Sequence, residues 1–251
     1  MDAGAAARIA AAVVEGSPPG EPFAVLEIGA GTGTLTKALA DRGVTVLALD
    51  LDPAMVDILR KRALPGVSIE QADALRFDYA RFAGRYWRAT GNLPYNIATP
   101  LMLQLLDMRD GPQQLIFMIQ KDVAERLIAK PGTSAYGSLS VAVQYLAKVE
   151  RLFKLGPSVF YPRPKVDSTV VRLRRLQTPA VTPRDVEFFK QVVRGAFAYR
   201  RKTLANSVSL SLRVDRARVV AALESLHYNP EIRGEQLDLV QFAALSDRLG
   251  E

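Results

Sequence analysis

Through the first two thirds of the chain, short apolar runs alternate with amphipathic stretches. AVLEIG, TVLALD, VSIEQ, YWRATGN and QLIFMIQ are each followed by a turn and then by apolar positions at helical spacing. Runs of Val, Leu and Ile with little polar alternation mark strands covered on both faces, so the pattern predicts a βαβ succession and a parallel sheet between helices. Ligands of such sheets bind beyond the carboxyl ends of the strands, near a topological switch point. VERLFKLG and STVVRLRR predict two later strands. Between them lies PSVFYPRPKVD, where Pro157, Pro162 and Pro164 are expected to forbid regular structure and leave a long, stiff loop. Beyond Arg175 the pattern changes. QTPAVTPRD reads as a linker with a helix start, and the remaining periodic Val, Phe, Ala and Leu predict several short helices. A boundary near residue 178 follows, with a sheet domain over 1–177 and a helical domain over 178–251.

Composition narrows the chemistry. Of 251 residues, 49% are hydrophobic and 24% charged, the balance of a globular protein. No apolar run approaches the roughly 20 residues of a membrane span. The opening MDAGAAARIAAAVVEG lacks the basic flank and cleavage site of a secretory signal, so a cytoplasmic location is expected. With no cysteine and one histidine, His227, the chain has no disulfides, thiolate nucleophiles or thiolate metal sites, and imidazole clusters and serine–histidine triads are implausible. Charge is unevenly divided. Residues 1–150 hold 15 Lys/Arg against 16 Asp/Glu, whereas 151–251 hold 18 against 10. A basic second part favours contact with a polyanion, nucleic acid first, over a merely solvated surface.

Three strand ends carry the first constellation. AVLEI runs into GAGTGTLT, placing Gly29, Gly31 and Gly33 at alternate positions where backbone must approach a ligand closely. The spacing is not that of a dinucleotide fingerprint, and no Lys-Ser/Thr pair follows, so a nucleoside without a pyrophosphate is favoured. Glu27 lies beside the glycines. Asp50 ends the second run, where a carboxylate can accept both ribose hydroxyls, with Leu51 flanking the adenine; Asp73, after the third run, can accept from an adenine amine. Singly, these acids could be surface groups or helix caps, and Asp52 before Pro53 competes for the cap. Together they resemble the cofactor site of Rossmann-like S-adenosylmethionine methyltransferases.

The fourth run ends in Asn92-Leu93-Pro94-Tyr95. An adenine amine is a poor nucleophile because its lone pair is delocalised into the ring. The Asn92 side-chain oxygen and the Leu93 carbonyl can accept its two N–H bonds, localising that pair and aiming it at a methyl donor. Pro94 fixes the turn, and Tyr95 offers a face to a base taken out of its stack. The plain alternative is a proline turn with Tyr95 packed inward. Phe160 can supply the opposite wall, with Tyr161 as its local rival; the plain alternative is that both rings cap the core. Arg163 and Lys165 in PRPKVDS, and Arg200, Arg201 and Lys202 in AYRRKTLANS, are candidate phosphate contacts, the second group at the start or interruption of a helix. His227, Trp87 and the methionines read as structural.

With these residues in view, the chain resembles the ribosomal RNA adenine dimethyltransferase family, in particular its bacterial branch acting on two adjacent adenosines near the 3′ end of 16S rRNA. The likeness spans nearly the whole chain and rests on EIGAGTGTLT, LDLD, QADAL, NLPYNIATPL, MIQKDVAERL, AYGSLS, VFYPRPKVDSTVVRL, AFAYRRKTLANS and RGEQLDL. It implies a Rossmann-like class I sheet with a small C-terminal helical domain and S-adenosylmethionine contacts at Glu27, Gly29, Gly31, Asp50, Leu51, Asp73 and Asn92. It also implies target-base contacts at Asn92, Leu93, Tyr95 and Phe160. Small-subunit rRNA is the implied partner, and a monomer without metal or membrane is expected. The 23S-directed branch is a rival that RRKTLANS and RGEQLDL disfavour. A non-catalytic assembly factor is disfavoured by the intact NLPY, and a DNA or protein-amide methyltransferase by the C-terminal third. One departure stands out: family members usually carry a basic Gly-Gln-Asn/His-Phe-Leu stretch just upstream of the first helix, whereas this sequence opens at Met1-Asp2. Weaker cofactor or substrate binding than in a chain bearing that stretch is the expectation that follows.

Overall fold

The computed structural model describes residues 1–17, 23–160 and 166–251, the side chains of Tyr95 and Asn96 excepted. Each run read as a strand forms one: β1 (Ala24–Ile28), β2 (Thr45–Asp50), β3 (Val67–Gln71), β4 (Trp87–Asn92), β5 (Gln114–Gln120), β6 (Ala147–Leu155) and β7 (Ser168–Arg175). They join in one sheet in the order β3-β2-β1-β4-β5-β7-β6. The first five are parallel, but β7 runs antiparallel to β5. The sheet is therefore mixed, not parallel throughout, and the cause lies in the connection. A parallel return needs a long crossover, usually a helix. Between β6 and β7 the described residues hold only a 3-10 turn, Pro157–Val159. That turn also corrects the expectation that Pro157 excludes regular structure, because a proline at the first position gives up an N–H that no first-turn residue needs.

Helices α1 (Ala3–Val14), α2 (Thr34–Ala40), α3 (Pro53–Lys61) and α4 (Tyr95–Asp107) accompany the parallel strands. The starts of α1 and α3 were written in the chain. Asp2 caps α1 by accepting the Ala5 N–H at 2.7 Å, and Asp52 caps α3 by accepting that of Ala54 at 2.8 Å, with Pro53 following. Ile9, Ala10 and Val13 of α1 bury against Val25, Val46, Ile116, Met118 and Val170 of the sheet. The other end of α1 meets two buried arginines. Arg88 of β4 donates to the carbonyls of Val13 and Glu15, and Arg172 of β7 donates to the Ala12 carbonyl at 3.3 Å and to the Glu15 carboxylate. Buried guanidiniums are tolerable there because a helix C-terminus exposes carbonyls and partial negative charge. Trp87 is fully buried, stacked on Phe82, and donates to the Asp110 carbonyl at 3.0 Å, the structural role expected of it.

The chain divides into two compact units, Met1–Ala124 with Lys148–Arg175, and Glu125–Ala147 with Leu176–Glu251. Where a boundary near 178 would leave 125–147 with the sheet, packing puts this segment in the second unit. Tyr136, Val141 and Tyr145 share a buried cluster with Phe189, Val192, Leu204, Val208, Leu223 and Phe242. Its elements are the end of α5 (Lys121–Ile128), α6 (Ser138–Leu146), α7 (Val186–Ala196), α8 (Leu204–Leu212), α9 (Arg216–Ser225) and α10 (Leu239–Gly250).

In the first unit, β1 and β4 lie so close that a Cβ at Gly91 would collide with the Ile28 carbonyl. The Ile28 atoms it would meet are all backbone, so they do not yield cheaply. Gly91→Ala is accordingly expected to lower the unfolding free energy by about 1 to 3 kcal/mol, read as a lower urea midpoint. A midpoint equal to that of the parent would show that the strands part without cost.

Candidate functional site

The carboxyl ends of β1, β2 and β4 meet because their register is shared: Ile28 pairs with Leu49 on one side and with Gly91 on the other. Gly29, Asp50 and Asn92 therefore stand at one level. Beyond β1, Gly29, Gly31 and Gly33 all take left-handed backbone, with φ of 70°, 55° and 83°. Side chains rarely adopt this conformation, which accounts for the alternate glycines. The N–H groups of Gly29 and Ala30 both reach the Leu49 carbonyl, at 2.9 and 3.1 Å, and that of Gly31 donates to Asp50 Oδ2 at 2.7 Å. Asp50 Oδ1 accepts from Asp52 N–H at 3.0 Å. Asp50 thus holds the loop through Oδ2 and its own turn through Oδ1, and each oxygen keeps a lone pair for hydroxyl donors.

Other parts of the site have the form that a nucleoside cofactor requires. A Cβ placed on Gly31 would meet nothing within 4 Å, so the loop faces open space. Leu51, at the tip of β2, is 66% exposed, unusual for leucine and suited to covering a flat ring. Asp73 lies past the end of β3, where Oδ1 accepts the Leu75 N–H at 2.9 Å and Oδ2 is 3.8 Å from Arg76. Beneath the glycines, Glu27 is 1% exposed and its Oε2 has no hydrogen-bond partner. Burial pushes its carboxyl up to about 8, helped by the negative charge of Asp50 and opposed in part by neighbouring Thr36. Thr36, itself buried in α2, was not singled out from sequence; its only signal was a hydroxyl among apolar neighbours.

At the tip of β4, Asn92 is exposed and its side-chain amide bonds to no described residue. Its carbonyl lies 3.5 Å from where a Cβ of Gly29 would stand. Leu93 buries its side chain and ties its N–H to the Met118 carbonyl at 3.2 Å, while Pro94 precedes the first turn of α4, its carbonyl accepting from Ile97 and Ala98. The tetrapeptide is thus a strand-to-helix turn whose amide no described residue engages. Tyr95 opens α4, its side chain outside the described residues. Phe160 follows the 3-10 turn after β6, half-buried against the cluster that α1 shares with the sheet. Tyr161, Arg163 and Lys165 lie outside the described residues.

In the second unit, Arg200, Arg201 and Lys202 are exposed in the turn between α7 and α8 and form no ion pair with a described residue. Thr203 behind them caps α8, so the cations precede that helix. His227 ends α9 in left-handed backbone, φ 58°. Among the described residues, no three His, Cys, Asp or Glu side chains are grouped to hold a metal, and no helix is long and apolar enough to cross a membrane.

A family model described as ribosomal RNA adenine dimethylase matches residues 7–239. "Ribosomal RNA small subunit methyltransferase A" of Hahella chejuensis is 45% identical over 89% of this chain and 81% of its own length, and the protein of the same name from Alkaliphilus oremlandii is 37% identical over 95% and 86%. Among solved structures, a dimethyladenosine transferase from Plasmodium falciparum superposes with a TM-score of 0.80 at 27% identity, covering 98% of this chain and 94% of that one. The 23S rRNA methyltransferase ErmE gives 0.73 at 27%, covering 100% and 99%.

Glu27 makes the fold sensitive to pH. An unfolded glutamate ionises near its ordinary value of 4.5, whereas the folded one keeps its proton to about 8. Its favourable contribution is complete below 4.5 and is lost as pH rises through that window. Glu27→Gln is expected to remove this fall and to melt higher than the parent at pH 9; parallel melting curves from pH 5 to 9 would contradict the buried, protonated carboxyl.

Proposed function

The chain belongs to the ribosomal RNA adenine dimethylase family, and from that premise we propose that it dimethylates the N6 amines of two adjacent adenosines near the 3′ end of 16S rRNA in the small ribosomal subunit. It is an S-adenosylmethionine-dependent methyltransferase of rRNA adenine. The observation that carries the local mechanism is the exposed Asn92 amide, unbonded to any described residue, at the tip of β4, beside the glycine loop and level with Asp50.

When bound, the cofactor supplies a methyl group on a sulfonium, an electrophile that needs an aligned nucleophile and no strong base. The residues present fit it: the open glycine loop, the spare lone pairs of Asp50 for ribose hydroxyls, exposed Leu51 for one ring face, Asp73 for the ring amine, and an orphaned carboxyl oxygen on Glu27. Asn92 and the Leu93 carbonyl accept the two N–H bonds of the target amine, drawing its lone pair out of conjugation. After the first transfer one N–H remains and one acceptor suffices. The proton displaced at each transfer leaves to solvent. Tyr95 and Phe160 hold the flipped base between them, and the ~1 to 3 kcal/mol of each base–ring stack offsets the cost of unstacking. Arg163, Lys165, Arg200, Arg201 and Lys202 neutralise phosphates. In this reading the enzyme works as a cytoplasmic monomer without a metal.

Incubation with labelled S-adenosylmethionine and small subunits lacking the two 3′-terminal dimethyladenosines should yield paired dimethyladenosines there, mapped by mass spectrometry. Methylation of large-subunit RNA instead would move the chain to the branch of ErmE. In the same assay Asn92→Ala is expected to slow transfer at least about 100-fold while RNA affinity stays within about twofold. Unchanged turnover would remove Asn92 from the chemistry.

A further inference from the structure

Phe160 does not stand in its loop unsupported. The carbonyl of Val159, one residue earlier, accepts the backbone N–H of Asp2 at 2.7 Å, and Val159 and Phe160 both pack on the cluster to which Ala5, Ile9, Ala10 and Val13 belong. Among the described residues, the 3-10 turn is closed by weak bonds of its own, Val159 N–H to Gly156 at 3.4 Å and Phe160 N–H to Pro157 at 3.3 Å. The bond from Asp2 is shorter than either and comes from an element that cannot drift.

That element is α1, fixed along its length. Arg88 and Arg172 hold its last carbonyls from inside the sheet. Arg42, just past α2, donates to the Ala7 carbonyl at 3.0 Å, and the Arg8 guanidinium lies 3.9 Å over the ring of Phe153 in β6. At its first turn the Asp2 carboxylate caps the helix while the Asp2 N–H points the other way, to Val159.

We propose that α1 is the strut that positions Phe160 against the target adenine, with the backbone N–H of Asp2 as the positioning contact. This rests on the reading of Phe160 as a wall of the base site. The ring must stand in one place before the base arrives, because the methyl transfer tolerates little misalignment of the amine. A 3-10 turn of three residues with long hydrogen bonds does not supply that rigidity. A helix anchored in the sheet does.

The backbone bond can be deleted alone. Asp2 has φ −71°, which proline adopts without strain, and proline lacks the N–H. Asp2→Pro and Asp2→Ala both lose the capping carboxylate, so the difference between them isolates the bond to Val159. All proteins, the parent included, are made behind a retained N-terminal tag that keeps residue 2 in a peptide bond. Phe160→Leu, which keeps apolar bulk but removes the ring, is measured alongside. Expected are similar melting temperatures and S-adenosylmethionine affinities for the Pro and Ala variants, with kcat on small subunits lower for Pro by roughly five- to tenfold, the net worth of one hydrogen bond. Phe160→Leu should lose at least as much. Equal kcat for Pro and Ala, with Phe160→Leu impaired, would overturn the strut and leave the base wall standing. If Phe160→Leu turns over like the parent, the base wall falls and the strut with it.

Discussion

The close parallel packing of β1 between β2 and β4 is the constraint on which the site depends. Three segments far apart in the chain, 29–33, 50–52 and 92–95, end at one level because Ile28 is in register with Leu49 and Gly91 at once. Gly91 permits the approach by having no side chain to strike the Ile28 carbonyl. Once the strand ends are level, the first half of the glycine loop lies against the end of β2. The N–H groups of Gly29 and Ala30 go to the Leu49 carbonyl and that of Gly31 to the Asp50 carboxylate, while that of Gly33 bonds the Ala30 carbonyl within the loop. Asp50 therefore braces the loop and, in the proposed reading, is also the acceptor offered to the cofactor, which would make the loop and the ribose site one structure.

The same packing explains the cost carried by Glu27. Its carboxyl is buried with Oε2 unbonded, the N–H groups of Gly29, Ala30 and Gly31 above it are spent on β2, and Thr36 answers its burial only in part. A carboxyl in that position is poorly solvated and stays neutral until high pH. Active sites commonly hold groups that the empty fold does not satisfy, because the ligand then supplies what is missing. A cofactor bearing positive charge and N–H donors is the kind of ligand that would.

Much of this was legible from residue order. Continuous apolar runs betray strands covered on both faces, alternate glycines betray left-handed backbone, and an aspartate before proline betrays a helix start; each effect is local. What could not be read depends on tertiary context. The direction of β7 follows from the short connection after β6, residues 156–167, and not from the residues of β7. The apolar residues of 125–147 suit either core, and only packing assigns them to the second. An aromatic ring in a loop reads equally as ligand wall and as core cap, and Phe160 packs half-buried on the α1 cluster, with the wall a part of the proposed reading.

Arg88 and Arg172 were the least legible residues, since charged side chains within strands are ordinarily expected at the surface. Their burial follows from α1. Its inward face is largely alanine, with Ile9 and Val13 as its larger members. Such a face packs closely on the sheet but has few ridges to set its position along it. Apolar residues at 88 and 172 would fill the same space and avoid the desolvation of two guanidiniums. They would leave unmet the carbonyls of Ala12, Val13 and Glu15, which have no later turn of helix to bond them. The arginines satisfy those carbonyls from fixed points on β4 and β7, and so locate a helix whose own side chains specify its position poorly.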